Sequence, residues 1–163
     1  DDRVDYRLWA EQGWVTVSPG RVIDEDWYMS RLLQELDKYK VKCIAYDPWG
    51  MWNMLQKFGR YQEVLMEYQQ SIRYMSVPTK WYESAMLKNQ LNLMHNPILR
   101  WNMKNVVIYI DPNANIKLDK ARSRNKIDGG VACVNAVGGW LNLTSGETKE
   151  IYVSHGLRTI SMQ

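Results

Sequence analysis

Phenylalanine is nearly missing from this sequence, with one in 163 residues against eight tryptophans and ten tyrosines. Aromatic richness of that kind alone points more to a core than to a ligand platform. Cysteine is equally sparse. Cys43 and Cys133 sit in apolar segments without metal-ligand spacing, which excludes a disulfide framework and a thiolate zinc site. The expectation is two reduced, buried thiols in a cytosolic compartment. No apolar run approaches the roughly 18 residues that span a bilayer, and nothing resembles a signal peptide. No Gly-x-x-x-x-Gly-Lys phosphate loop occurs, so nothing here suggests nucleotide hydrolysis of that type. Internal repeats and low-complexity tracts are absent as well. The net charge of +3 is too small to indicate nucleic acid by itself.

What is present is an ordinary globular composition, 45% hydrophobic and 24% charged, in a chain of one-domain size. Charge is unevenly spread. Residues 1–26 hold Asp1, Asp2, Asp5, Glu11, Asp24, Glu25 and Asp26, whereas residues 117–126 hold five cations against one acid. A short helix is expected over 3–12 and a β-prone run over Trp14–Val17. Asp24 has the chemistry of an N-cap, with Glu25 and Asp26 suited to a helix dipole. Apolar positions Trp27, Leu32, Leu33 and Leu36 then give that helix one buried face to about Tyr39. Strands are expected over 41–46, 63–68, 105–110 and 116–118, and another at Glu150–Val153. Helices are expected over 50–58, stopped by Gly59, from Pro78 to about Leu93, and over 121–138. Gly129 and Gly130 cost that last helix roughly 2 kcal/mol of propensity, which suggests close packing against a sheet. This alternation indicates an α/β fold with a parallel crossover around residues 41–68.

Two acids are candidates for chemistry. Asp47 stands just past a strand, held extended by Pro48, at the end where α/β sheets place ligands. Asp128 lies in Lys126-Ile127-Asp128-Gly129-Gly130 on the last helix. Acids from separate elements can hold Mg²⁺ or Mn²⁺ through hard oxygens, and paired ions can promote phosphodiester hydrolysis. Against this, a lone strand-end aspartate is more often a turn or cap residue. The run Lys117, Lys120, Arg122, Arg124 and Lys126 is read as entering the first turn of the last helix. Cations oppose the macrodipole there, so phosphate contact is a natural reason for them, a solvated face being the plain alternative. Glu83, Asp111 and His95 are weighed mainly as surface or turn residues, and His155 lies in the poorly readable tail.

The stretch Ile44-Ala45-Tyr46-Asp47-Pro48-Trp49 resembles the second acidic motif of the nuclease domain of the tailed-phage terminase large subunit. Further matches follow in order at Met75–Lys80, His95–Asn102 and Asn105–Val107. Asp111–Gly129, with Asn115-Ile116-Lys117, Asp119-Lys120, Ser123 and Lys126-Ile127-Asp128-Gly129, resembles the closing motif. The pattern extends upstream through Trp9, Gly13, Pro19-Gly20 and Val22-Ile23-Asp24. The resemblance covers about residues 1–140, leaving 141–163 as a tail without an assigned role.

It implies an RNase H-like mixed sheet flanked by helices and incomplete at its N-terminus, and a two-metal endonuclease using Mg²⁺ or Mn²⁺. By this resemblance Asp47 and Asp128 are the family's second and third catalytic acids, and, on the charge pattern already described, Lys117, Lys120, Arg122, Arg124 and Lys126 are expected to hold the DNA backbone. The first acid belongs to an opening strand upstream of this sequence, so the fragment alone is expected to bind metal poorly. Implied partners are double-stranded DNA, the terminase small subunit, the portal and the ATPase domain of the same protein, in the host cytoplasm and without a membrane. Two rivals stand beside this reading. One is a non-catalytic DNA-gripping or motor-docking module, the other an RNase H-like nuclease of resolvase or transposase type.

Overall fold

The computed structural model describes residue 2 and residues 4–145. They fall into two compact units, one of Asp1–Val17 with Ser71–Val137, the other of Ser18–Gln70 with the described residues from Gly138. Each contains a small sheet with helices, in keeping with the α/β class.

In the unit around residues 18–70, helix α2 (Glu25–Leu36) follows Asp24, whose Oδ1 accepts from the amides of Asp26 at 2.9 Å and Trp27 at 3.2 Å. Two N-terminal amides are thereby satisfied, and Glu25 and Asp26 face the positive end of the helix dipole. Met29 is the buried residue of the helix, while Trp27, Leu32, Leu33 and Leu36 are half-buried. Strand β1 (Ile44–Tyr46) pairs in parallel with β2 (Leu65–Glu67), in the register Ile44–Leu65, Ala45–Met66 and Tyr46–Glu67. The crossover expected around 41–68 is therefore present. It consists of α3 (Trp52–Leu55) and a 3-10 segment over Gln56–Val64 that is broken at Gly59, where φ is +52°. A left-handed backbone ends a helix there at low steric cost only for glycine. Lys57 ties this connection to α2 through Asp26 at 2.6 Å and Glu25 at 3.4 Å.

In the other unit, α1 (Tyr6–Glu11) starts at Asp5, whose carboxylate accepts from the Leu8 amide at 3.0 Å. Tyr6, Trp9 and Trp101 form an aromatic cluster with centroids 5.6–6.3 Å apart. The strand expected at Trp14–Val17 does not form. Both Trp14 and Val15 instead donate to the Trp9 carbonyl, at 2.8 and 3.4 Å, so the chain turns back on α1.

Helix α4 spans Ile72–Leu87 and encloses Pro78, which the sequence placed in a first turn. A proline inside a helix forfeits one backbone hydrogen bond and crowds the preceding turn, at about 3 kcal/mol. Burial of Met75, Ser76, Pro78, Thr79, Tyr82 and Ala85 outweighs it. Helix α5 (Pro97–Asn105) forms in a stretch for which no element was expected, beyond the reading of His95 as a turn residue. Asn96 caps it, accepting from Ile98 and Leu99 at 3.0 Å each, with Pro97 in the first turn. Strands β3 (Ile108–Ile110) and β4 (Ile116–Leu118) form an antiparallel hairpin packed on α4.

The last helix, α6, runs from Asp128 to Thr144 rather than from 121 to 138. Its glycines explain the earlier propensity conflict. A side chain on Gly130 would meet Met103 at 3.1 Å and Leu118 at 3.5 Å. Further along, one on Gly138 would overlap the Tyr68 ring, and one on Gly139 would meet Cys43 at 3.1 Å and Ala45 at 3.3 Å. Cys43 and Cys133 are free thiols, half-buried rather than buried, and burial raises both above the ordinary thiol range. None of the described helices is long and apolar enough to cross a membrane. Glu150–Val153 and His155 lie outside the described residues.

Candidate nuclease site

Asp47 sits where the sequence placed it, one residue beyond the carboxyl end of β1. It is half-buried, and its Oδ1 accepts from the Trp49 amide at 3.1 Å. That bond closes a tight Asx turn after the strand, which fixes the carboxylate's direction. Gly50, with φ of +78°, completes the turn.

Asp128 belongs to the other unit, in the first turn of α6, and is exposed. Its position is set by a residue 26 places upstream in sequence. The Oδ1 of Asn102, on α5, accepts from the Gly129 amide at 2.6 Å. Asn102 is only 4% exposed, so this bond is sheltered and serves as a side-chain cap delivered from a neighbouring helix. Gly129 is required by the same contact, since an added Cβ would lie 2.7 Å from that oxygen. Ile127, fully buried, anchors the residue before. Asn102 carries no catalytic chemistry, and its function as a cap depends on a pairing that sequence spacing does not reveal.

Of the basic run, Lys117 lies on β4, and Lys120, Arg122, Arg124 and Lys126 lie in the loop between β4 and α6, so none is in the first turn of a helix. The macrodipole argument for those cations therefore fails at these positions, because the first helical turn carries Asp128 instead. The loop is built by its own polar residues. Asp119 accepts from the amides of Ala121 at 3.0 Å and Arg122 at 3.1 Å. Ser123 donates from its Oγ to the Asp119 carbonyl at 2.7 Å and accepts from the Val107 amide at 3.2 Å. Asn105 donates to the Lys126 carbonyl at 3.2 Å. These bonds hold the loop against α5 and the start of β3.

The five cations differ in their commitments. Lys117 lies on β4 opposite Tyr109 and is half-buried, whereas Lys120, Arg122, Arg124 and Lys126 are exposed. Arg122 stacks over the Tyr109 ring, 5.8 Å from its centroid, and pairs with Asp119 at 3.4 Å. Lys120 reaches the Asp128 carboxylate at 2.6 Å. Lys117, Arg124 and Lys126 make no ion pair among the described residues.

Other candidates keep structural roles. Asp111 accepts from the amides of Asn113 at 2.9 Å and Asn115 at 2.8 Å, and from the Asn115 side chain at 2.9 Å. The Asn115 side chain, then these amides and the nearby Lys80 charge, hold its carboxyl below the ordinary carboxylate range. It closes the β3–β4 turn. Glu83 is exposed on α4, and His95 is exposed in a left-handed turn with φ of +55°.

Asp47 and Asp128 are hard-oxygen donors of the kind that Mg²⁺ and Mn²⁺ prefer, and each is accessible enough to act as a ligand. They fit a divalent cation in chemistry. In number they fall short, because no group of three or more acidic, histidine or cysteine ligands gathers among the described residues.

Comparison with known proteins bears on the family and the fold. Residues 1–143 match the family model for the terminase large subunit, endonuclease domain. The chain is 26% identical over 143 residues to the terminase large subunit of Enterobacteria phage HK97, covering 84% of this chain and 28% of that protein. It is 27% identical over 158 residues to protein YmfN of Escherichia coli strain K12, covering 95% of this chain and 35% of that one. The crystal structure of the HK97 large terminase superposes with a TM-score of 0.77 at 26% identity, over 84% of this chain and 29% of the other. The chain thus spans about a third of the length of these curated relatives. A family match along nearly the whole described chain, together with the matching fold, shows that this chain belongs to the terminase large-subunit endonuclease domain family.

Proposed function

We propose that this chain carries the DNA-cutting function of a phage packaging terminase: divalent-metal-dependent endonucleolytic cleavage of concatemeric double-stranded viral DNA. Residues 1–140 form the nuclease region in this reading, and 141–163 remain a tail without an assigned role. The observation that carries it is the placement of an exposed acid, Asp128, directly after a cationic loop pinned to α5 and β3. Nuclease domains of this kind are generally divalent-metal dependent. Asp47 and Asp128 would be ligands, and two ions of Mg²⁺ or Mn²⁺ would supply Lewis-acid polarisation of the phosphodiester and activation of water.

The chain's own residues supply binding and orientation. Lys117, Arg124 and Lys126 offer charges for backbone phosphates, and Arg122 offers a guanidinium already oriented by Tyr109 and Asp119. Lys120 is shared between that role and Asp128. Asn102 keeps the first turn of α6, and with it Asp128, in one conformation. The Asx turn does the same for Asp47. The partners of such an activity are the duplex, the terminase small subunit, the portal and the ATPase domain of the same protein, in the host cytoplasm.

The test is plasmid cleavage with Mn²⁺ by the chain alone and by a form extended upstream through the family's opening strand. Cleavage by the extended form that Asp47→Ala and Asp128→Ala each abolish, with thermal stability retained, supports the proposal. Undiminished cutting by both variants refutes it. The Lys120–Asp128 pair also suits a second reading, a DNA-gripping module without cleavage. That module would show steep salt dependence of DNA binding and no metal dependence.

A further inference from the structure

Trp49 is the most exposed large apolar side chain among the described residues, at 91%, while the next most exposed tryptophan, Trp52, is at 55%. An indole ring left in water gives up the burial that makes tryptophan useful to a core, so the fold of the described residues gains nothing from it. No aromatic or cation contact of Trp49 occurs among those residues. The backbone beneath it is nevertheless tightly held. Its amide donates to Asp47 Oδ1 at 3.1 Å, Pro48 has its φ fixed by the ring, and the Met51 amide donates to the Pro48 carbonyl at 3.3 Å. Gly50, at φ of +78°, takes the left-handed position of the turn. A bare ring on a rigid turn is preorganised for an external partner, since only its own side-chain torsions remain to be ordered on binding.

The kind of partner follows from the distance to Asp47. Two residues of chain span at most about 7 Å. The grooves of B-DNA are about 6 and 12 Å wide, so a duplex whose phosphodiester lies at Asp47 also covers Trp49. A protein surface seated on this ring would cover the same ground and shut the duplex out. Residues 47–56 contain no lysine or arginine, so attraction at this turn is not electrostatic. Tryptophan suits that need, because its flat face stacks on any base.

We propose that Trp49 is a base-stacking anchor for the duplex, entering the base stack beside the phosphodiester that faces Asp47. This rests on Asp47 belonging to the cutting site, as proposed above. Pyrimidine–purine steps unstack most easily, so the ring favours them and biases where the duplex is held.

The experiment is metal-free binding of short duplexes by the whole chain, read by fluorescence anisotropy of a labelled strand over a range of salt. One duplex is fully paired and the other has a single central mismatch. The original chain should bind the mismatched duplex more tightly, because an open step costs less to enter. Trp49→Ala should weaken that binding about five- to a hundredfold and erase the preference. The slope of log affinity against log salt should stay the same, since no charge is removed. Trp49→Phe should keep most of the affinity. Both variants should melt as the original does, because the side chain packs on nothing. If Trp49→Ala binds both duplexes as the original does while Arg124→Ala still lowers the salt slope, the anchor is overturned and the DNA-binding reading survives. A tryptophan that docks a protein behaves in that way. Weaker binding of Trp49→Ala with a lower slope also overturns the anchor, since the ring would then act through charges. An original chain that binds neither duplex at low salt overturns both readings.

Discussion

Removing the Asn102 side chain should loosen the helix end that presents Asp128, and the loss can be worked from the structure. Asn102→Ala deletes the acceptor of the Gly129 amide, a bond of 2.6 Å at a residue 4% exposed. Loss of a helix cap costs roughly 1 kcal/mol, and leaving a sheltered donor unpaired adds about 1 more. The total of about 2 kcal/mol lowers the melting temperature by about 4–8 °C in a chain of this size. Gly129→Ala attacks the same contact from the other side. In an exposed helix that change would stabilise by roughly 1 kcal/mol. Here the new Cβ would sit 2.7 Å from Asn102 Oδ1, and overpacking costs about 1–3 kcal/mol, so the expected sign is reversed. In Asn102→Ala/Gly129→Ala the clash partner is gone, so the second substitution should be neutral or favourable. Thermal denaturation of the four proteins gives the coupling, and amide exchange at 129–132 reports whether the first turn opens. Stabilisation by Gly129→Ala in the original background would refute the reasoning, because Asn102 would then not occupy that space.

Other expectations follow from the same contacts. Gly138→Ala forces a methyl into the Tyr68 ring and should cost about 1–3 kcal/mol by chemical denaturation, more than Gly139→Ala, whose nearest neighbours lie at 3.1 and 3.3 Å. Alanine at Arg124 or Lys126 should each lower the slope of log affinity against log salt by about 0.9 in duplex binding, if one phosphate contact is lost. Lys57→Ala, removing a cation held by Asp26 and Glu25, should leave that slope unchanged. The Asp111 carboxyl is held below its ordinary value of 3.8, chiefly by the Asn115 side chain. Its folded pKa lies below its unfolded one, so its contribution is complete above the unfolded value and disappears as pH falls through the folded one. Acid titration of unfolding should show a shallower low-pH limb in Asp111→Asn.

Where local chemistry decides structure, the sequence was legible. Asp24 followed by two acids announced α2, and Asp47-Pro48 placed an acid just beyond β1. Gly59 marked a break, and the Asp111–Asn115 turn located the β3–β4 hairpin. The start of α4 was misplaced because Pro78 looks like a first-turn residue unless the burial around it is known. Helix α5 was missed although Asn96-Pro97 is a good cap and first turn, because His95-Asn96-Pro97 reads equally well as a loop. The beginning of α6 was placed too early for a related reason. Asp119 and Ser123 organise the loop over 119–127 through bonds to Val107 and to their own backbone, and periodicity does not register such bonds.

The sequence by itself determined the α/β class, the family, and the identities of the acids and cations to examine, because these depend on residue type and order. Only the tertiary structure decided how they are deployed. It put four of the five cations in a pinned loop and Lys117 on a strand, rather than in a helix, with Lys120 on Asp128. It also gave Asn102 the task of capping α6 and left Gly138 no room for a side chain against Tyr68. Each of these is a contact between residues distant in sequence or separated by an irregular loop. Propensity and spacing describe a chain's neighbours along itself, whereas packing selects its neighbours in space.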